Sequence, residues 1–270
     1  MQGRWKMKFN AISGESFTST RSTSHNNINK KFQWSDNNDG DVDIYIDGEI
    51  FNIIKNDDGR KKFAWLLESR TIIPDVFKYV EENYYEILHH CDGIFTCDNS
   101  LTDKSGFLYT ISNAAPWILT KEIYPKTKLI SMISSNKAWA EGHRRRLRYV
   151  EKWQDKVDLY GRGFKTLDYK EDGLRDYMFS VAIENEKYDT YFTEKLTDCF
   201  ACGTIPVYYG SEKVSDMFNP DGIIFINKEF DLDQINEDLY YSKIDAVKEN
   251  FELACKLPTA EDYIYERYFA

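Results

Sequence analysis

The sequence predicts an α/β protein whose parallel sheets are wrapped by helices. Three observations predict it. From residue 128 onward, short apolar runs alternate with segments of helical periodicity, strand then helix then strand. The same alternation appears on a smaller scale between residues 43 and 97. At 270 residues and 42% hydrophobic content, the chain can bury one large core or two modest ones.

The elements follow in chain order. Residues 11–40 are rich in Ser, Thr, Asn and Asp and are expected as loop. Residues 43–47 (DIYID) alternate like a short strand, and 63–67 form a compact apolar strand ending at Glu68. Residues 73–88 repeat at helical spacing, and 93–97 read as another strand. Ala115-Pro116 and Tyr124-Pro125 interrupt the pattern, so a first α/β domain is expected over 1–125. A second is expected over 126–257. It opens with a strand at 128–134 and a helix at 138–153. A strand at 157–160 then runs into Gly161-x-Gly163, and another occupies 178–183. A helix at 193–202 is closed by Gly203 at the C′ position. Strands at 205–208 and 222–226 precede a mostly helical 232–257, and 258–270 is expected as a tail. Ligands of such sheets sit at the carboxyl ends of the strands.

The net charge of −10 excludes the broad basic face that nucleic acid or an anionic membrane requires. No run approaches the ~20 apolar residues of a membrane span. No signal-peptide pattern opens the chain either. A soluble, cytoplasmic protein is expected, with neither nucleic acid nor membrane as partner. Five cysteines, an odd number, make no disulfide framework. Cys199 and Cys202 lack a second pair at zinc spacing and are expected as small apolar residues of a helix. The four histidines form no metal motif. The 19 tyrosines and 17 phenylalanines are expected chiefly in core packing.

Polar groups gather after the strand at 178–183, in Glu184-Asn185, a polar loop and a helix starting near Thr193. A helix N-terminus offers unpaired N–H groups and partial positive charge. Glu194 suits that dipole. Lys195 opposes it by roughly a few tenths of a kcal/mol, a conflict that a facing anion, or simply solvent or a carboxylate, would remove. A second cationic feature is His143-Arg144-Arg145-Arg146-Leu147-Arg148. Such runs are usually solvated faces, yet arginine forks suit phosphate oxygens. Cations from two helices would clamp a diphosphate. A micromolar donor needs about −8 kcal/mol, and charged hydrogen bonds supply roughly 1.5–3 kcal/mol each.

The run 177–210, YMFSVAIENEKYDTYFTEKLTDCFACGTIPVYYG, resembles the donor-binding signature of the family 10 glycosyltransferases, the α-1,3-fucosyltransferases. That signature is a strand, Glu-Asn, a variable loop, Tyr-x-Thr-Glu-Lys, a helix, and then a small residue followed by Gly-Thr-x-Pro-x-Tyr-x-Gly. A weaker resemblance covers about 128–226. It implies an inverting enzyme of two Rossmann-like domains (GT-B-type), with its active site in the inter-domain cleft. The implied donor is GDP-fucose, and the implied partner is a glycan acceptor whose hydroxyl receives L-fucose. It further implies that Asn185, Tyr191, Glu194 and Lys195 hold the donor. Glu194 would accept from ribose or sugar hydroxyls, and Lys195 would meet the diphosphate. The family's phosphate-binding arginine maps onto Arg146, with Arg144 and Arg145 as alternatives. The family's catalytic base, a carboxylate of the first domain, maps onto Glu68; the plain alternative is a solvent-facing residue or a partner for Arg70. No metal is strictly required, because Lys195, the arginine and helix N–H groups offset leaving-group charge. A divalent metal would be a stimulant at most.

Three departures accompany the resemblance. Glu186 stands where a Ser commonly follows Glu-Asn. The first domain is short. No anchor or stem like that of the secretory-pathway members is seen. Three rival readings are a metal-dependent transferase using Asp41-Val42-Asp43 as a D-x-D, a non-catalytic carbohydrate-binding protein of the same fold, and transfer from another nucleotide sugar such as a galactose or xylose donor.

Overall fold

The computed structural model describes residues 7–14, 21–56 and 59–270. They separate into two compact units. One runs to Asn113 and also takes Pro258–Ala270; the other is Ala114–Leu257.

The first unit contains β1 (Phe9–Ile12), β2 (Val42–Ile46), β3 (Lys61–Leu66), α1 (Pro74–His90), β4 (Ile94–Thr96), α2 (Asn99–Thr102) and β5 (Phe107–Tyr109). Its five strands lie side by side in sequence order, all parallel. Side chains alternate across the sheet, as the two-residue period requires. Tyr45, Ala64, Leu66 and Ile94 meet Val76, Phe77, Val80 and Ile87 of α1 on one face. Val42, Ile44, Ile46, Phe63, Trp65 and Phe95 join Phe9, Phe32 and Trp34 on the other. Pro74 opens α1, where its missing N–H costs nothing. Residues 11–40 were expected as loop. Their described part includes the end of β1, and Phe32 and Trp34 are core residues, so polar composition concealed two buried anchors. Residues 15–20 of that stretch lie outside the described residues.

The second unit contains β6 (Lys128–Ile133), α3 (Glu141–Trp153), β7 (Asp158–Tyr160), β8 (Tyr177–Ile183), α4 (Glu194–Ala201), β9 (Ile205–Tyr209), β10 (Ile224–Phe225), α5 (Glu237–Ser242) and α6 (Ile244–Cys255). The strand order is β10-β9-β8-β6-β7, again all parallel. From β6 the chain steps outward to β7, then returns past β6 to β8 and proceeds the other way. The order therefore reverses between β6 and β8, which opens a crevice at their carboxyl ends. The first sheet, laid down in one direction, has no such reversal. All seven residues of β8 are buried. Gly203 ends α4 with φ of 67°, the left-handed C′ conformation expected from the sequence. Cys199 and Cys202 are buried in the apolar cluster around α4, as expected of small helix residues.

Residues 114–125, expected with the first domain, bond to α4 of the second unit. Trp117 N donates to Asp198 Oδ1 (2.6 Å) and Thr197 Oγ1 to Ala114 O (2.7 Å). Glu122 N donates to Ala201 O (3.0 Å). The units divide between Asn113 and Ala114, beside Ala115-Pro116 rather than at Tyr124-Pro125.

The stretch 258–270, expected as a tail, carries the helix α7 (Ala260–Tyr268) and packs in the first unit. Ala260 and Ile264, four apart, are buried in that unit's aromatic cluster. Phe269 lies edge-on to Phe9 (4.9 Å) and Phe63 (5.3 Å). Asp262 accepts from the backbone N–H groups of Lys30, Lys31 and Phe32 at 2.8, 2.8 and 3.0 Å. Fully buried Glu261 accepts from Ser22 Oγ (2.9 Å) and Thr23 N (2.5 Å). These two acidic residues of the first turn tie down the loop at residues 22–32.

The Asp41-Val42-Asp43 tripeptide sits at the amino end of β2, the end opposite to where ligands of parallel sheets bind. Asp41 accepts from Lys8 N (3.0 Å). Asp43, 1% exposed, accepts from Asn10 Nδ2 (2.5 Å) and pairs with Arg60 (3.3 Å). These carboxylates bind the strand edge together. Among the described residues no three His, Cys, Asp or Glu side chains converge as a metal-binding group. No helix among them is long and apolar enough to cross a membrane.

Candidate functional site

Four segments of the second unit meet at the carboxyl ends of β6 and β8. They are the Ser134–Asn136 turn after β6, the first turns of α3, the Glu184-Asn185 pair after β8, and the start of α4. Gly142 shows how closely they approach. A Cβ built there would lie 2.5 Å from Asn185 O and 2.7 Å from its Cα. Only a glycine lets the first turn of α3 press against the end of β8.

Glu184 anchors the loop before α4. It is fully buried and accepts from Thr193 N and Thr193 Oγ1, both at 2.8 Å. Thr193 is the N-cap of α4, its hydroxyl accepting from Lys195 N (3.4 Å) and Lys195 Nζ (2.9 Å). Lys195 Nζ lies 3.5 Å from both Glu184 Oε2 and Glu194 Oε1. Lys170, from the turn before β8, reaches Glu194 at 3.4 Å and Asp198 at 2.5 Å. Carboxylate and ammonium thus alternate through Asp198, Lys170, Glu194, Lys195 and Glu184. Burial opposes charge on Glu194, but Lys195 and Lys170 more than offset it and hold its carboxyl down at about 2. Burial pushes Glu184 up, with Lys195 opposing. Burial likewise works against Lys195, yet Glu194 and Glu184 raise its pKa. The helix-dipole conflict read from the sequence is met by carboxylates.

Arg146 is different. It is 8% exposed, donates through Nη2 to Ser135 Oγ (3.0 Å), and its Nε has no hydrogen-bond partner. Burial lowers its pKa, and the more distant Glu194 and Glu184 only partly offset this. The other arginines of the run have partners elsewhere. Arg144 and Arg148 pair with Glu141 at 3.1 and 3.0 Å, and the Arg145 guanidinium stacks 5.1 Å from the Tyr209 ring. One helix therefore carries both readings of its charge run: a solvated face and one buried cation turned toward the crevice. Asn185 Oδ1 is also buried without a partner. Tyr191, 3% exposed, packs its ring 5.1 Å from that of Tyr188. Tyr208 lies within electrostatic reach of both Glu184 and Tyr191.

Of the residues singled out in the sequence, Arg146, Asn185, Tyr191, Glu194 and Lys195 all belong to this region. Glu68 belongs to the first unit. It is exposed just past the carboxyl end of β3, and its N–H donates to Asp47 Oδ1 (3.2 Å). Arg70 is held by Glu81 (2.8 Å) and Asp98 (2.9 Å). From the sequence, Glu184, Thr193 and His143 were noted by position but assigned no role, and Lys170 was passed over. Glu184 carried a signal, standing between a largely apolar strand and Asn185. Lys170 carried none, because its partners lie 24 and 28 residues away.

Residues 123–252 match the model of glycosyltransferase family 10 (fucosyltransferase), C-terminal part. An α-(1,3)-fucosyltransferase of Helicobacter pylori, FucT, is 38% identical over 64 residues, 23% of this chain and 13% of that protein. α-(1,3)-Fucosyltransferase 4 of Mus musculus is 30% identical over 138 residues, 47% of this chain and 31% of that protein. The chain thus matches less than a third of the length of either relative. A crystal structure of an α1,3-fucosyltransferase with GDP superposes with a TM-score of 0.51 at 13% identity, over 90% of this chain and 82% of that one. The expected fold, two Rossmann-like α/β units as in GT-B fucosyltransferases, is the fold found. Residues 123–252, just under half of the chain, match the glycosyltransferase family 10 (fucosyltransferase) domain.

Proposed function

We propose that the chain is an inverting glycosyltransferase that moves L-fucose from GDP-fucose to a hydroxyl of a glycan acceptor. The observation that carries this reading is Arg146. A buried cation without an ion pair among the described residues faces the crevice where Lys195 begins the next helix. A diphosphate between them would satisfy Arg146 Nε and draw on the Lys195 ammonium. Choice of fucose and guanosine is supported by the relatives' names and by GDP in the superposed neighbour.

In this mechanism Arg146 and Lys195 hold the diphosphate and offset its charge as the glycosidic bond breaks. Glu194, held ionised, accepts hydrogen bonds from donor hydroxyls. Glu68 removes the proton of the acceptor hydroxyl as that oxygen attacks the anomeric carbon from the face opposite the diphosphate.

Lys195→Ala is expected to weaken GDP-fucose binding about ten- to a hundredfold, from loss of a charged hydrogen bond. Calorimetric titration checks this, and unchanged affinity would refute the reading. Glu68→Gln is expected to bind donor normally and lose most transfer to acceptor. Near-wild-type turnover would remove Glu68 from the mechanism.

A further inference from the structure

We propose that the His143 imidazole is a further direct ligand of the donor diphosphate, donating a hydrogen bond beside Arg146. The inference rests on the donor reading above and adds a residue and a proton to it. His143 sits in the first turn of α3, three residues before Arg146 and so on the same helical face. It is 5% exposed, and its Nδ1 has no hydrogen-bond partner. The Trp139 ring meets it edge-on at 4.6 Å. The unpartnered atoms His143 Nδ1, Arg146 Nε and Asn185 Oδ1 come from the first turns of α3 and from the residue against which Gly142 is pressed. Buried polar atoms left without partners are costly, and these three lie on the segments that frame the crevice. A modest rotation of the ring would give its N–H to a phosphate oxygen.

The charge around the ring supports the same role. Burial, then Arg146, Lys137, Lys195 and Arg144, lower the His143 pKa to about 4, so the ring is neutral in the free protein. The carboxylates in the crevice, Glu184 and Glu194, are already engaged by Lys195. A diphosphate placed among these cations would cancel their repulsion and oppose the larger effect of burial, favouring the protonated ring. Donor binding would then be accompanied by uptake of one proton from solvent onto the imidazole.

The test is calorimetric titration of the full chain with GDP-fucose between about pH 5 and pH 8, in two buffers of different ionisation heat. The diphosphate of GDP-fucose is esterified at both ends and does not titrate in this range. The expected result is roughly tenfold tighter binding at the acid end, with a buffer-dependent heat that reports proton uptake. Wild-type binding without proton uptake overturns the coupling. His143→Gln and His143→Asn carry an amide donor near the positions of Nε2 and Nδ1 and cannot take up the proton. Each is expected to bind more weakly than wild type at the acid end and to lose the pH dependence. If both keep wild-type affinity and slope, the His143 role is overturned while the donor site stands. If folded wild-type chain binds no GDP-fucose at any pH, the donor reading falls and takes this inference with it.

Discussion

Glu184 is a carboxylate with no solvent exposure, two hydrogen bonds from one threonine and a lysine at 3.5 Å. Its task is to fix the N-cap of α4, and through it the pose of Glu194 and Lys195. Glu184→Ala would leave the Thr193 N–H and the Thr193 hydroxyl proton without an acceptor. Destabilisation of roughly 1–3 kcal/mol is expected in a denaturant titration. Gly142→Ala is expected to cost about 1–3 kcal/mol as well, because the new methyl meets backbone rather than a flexible side chain. His143 makes stability depend on pH. Its folded pKa, about 4, lies below the ordinary value of 6.5, so the unfolded chain binds more protons between them. Stability from the neutral ring is complete above about pH 6.5 and declines as pH falls toward 4. Urea midpoints of wild type and His143→Gln should therefore diverge on acidification, wild type losing more. At this scale the sequence was legible where chemistry is local. Thr193, Glu194 and Lys195 form one turn, and their types declare a cap, an anion and a cation. Lys170 was illegible because a loop residue announces nothing about carboxylates far along the chain.

Among the elements, α4 shows what a helix needs at both ends. Thr193 caps its start, and Gly203 closes it at φ of 67°. Lys126 Nζ donates to Cys202 O, Arg175 O and Thr204 Oγ1 at 2.7, 2.9 and 3.0 Å. It thereby brings positive charge to the negative end of the dipole. Lys126→Met would remove these bonds, two of them to the buried Cys202 and Thr204, and is expected to lower stability by about 1–3 kcal/mol, read as a fall in melting temperature. Periodicity revealed the longer elements, α1, α3, β6, β8 and β9, because each repeats often enough to show a face. Short apolar runs exposed β4, β7 and β10 as well, but not β1, β5 or α2. The helix α7 was missed because its apolar positions are few and aromatic residues lie on several sides.

For the whole molecule, two parallel sheets could be inferred from alternation, but their strand orders could not. Order depends on which strand the chain passes before it pairs, and nothing in a strand's own residues encodes that. The reversal between β6 and β8 explains why the residues proposed to hold the donor cluster in the second unit. The return of 258–270 to the first unit has a different outcome. Removing those residues would strip Phe269, Ile264 and Ala260 from the face that carries Phe9 and Phe63, and would free the loop held by Glu261 and Asp262. Loss of cooperative unfolding in the first unit is expected, seen as early amide exchange confined to β1–β5 while β6–β10 stay protected.

That same return sets a schedule for biosynthesis. Residues 114–257 are one unbroken stretch and have every strand of their sheet once they leave the ribosome. The first half emerges earlier yet must wait, its aromatic surface uncapped, until α7 has been translated. Nascent chains usually consolidate from the amino terminus; here the later-made half would finish first, and the earlier one would be the natural client of a chaperone.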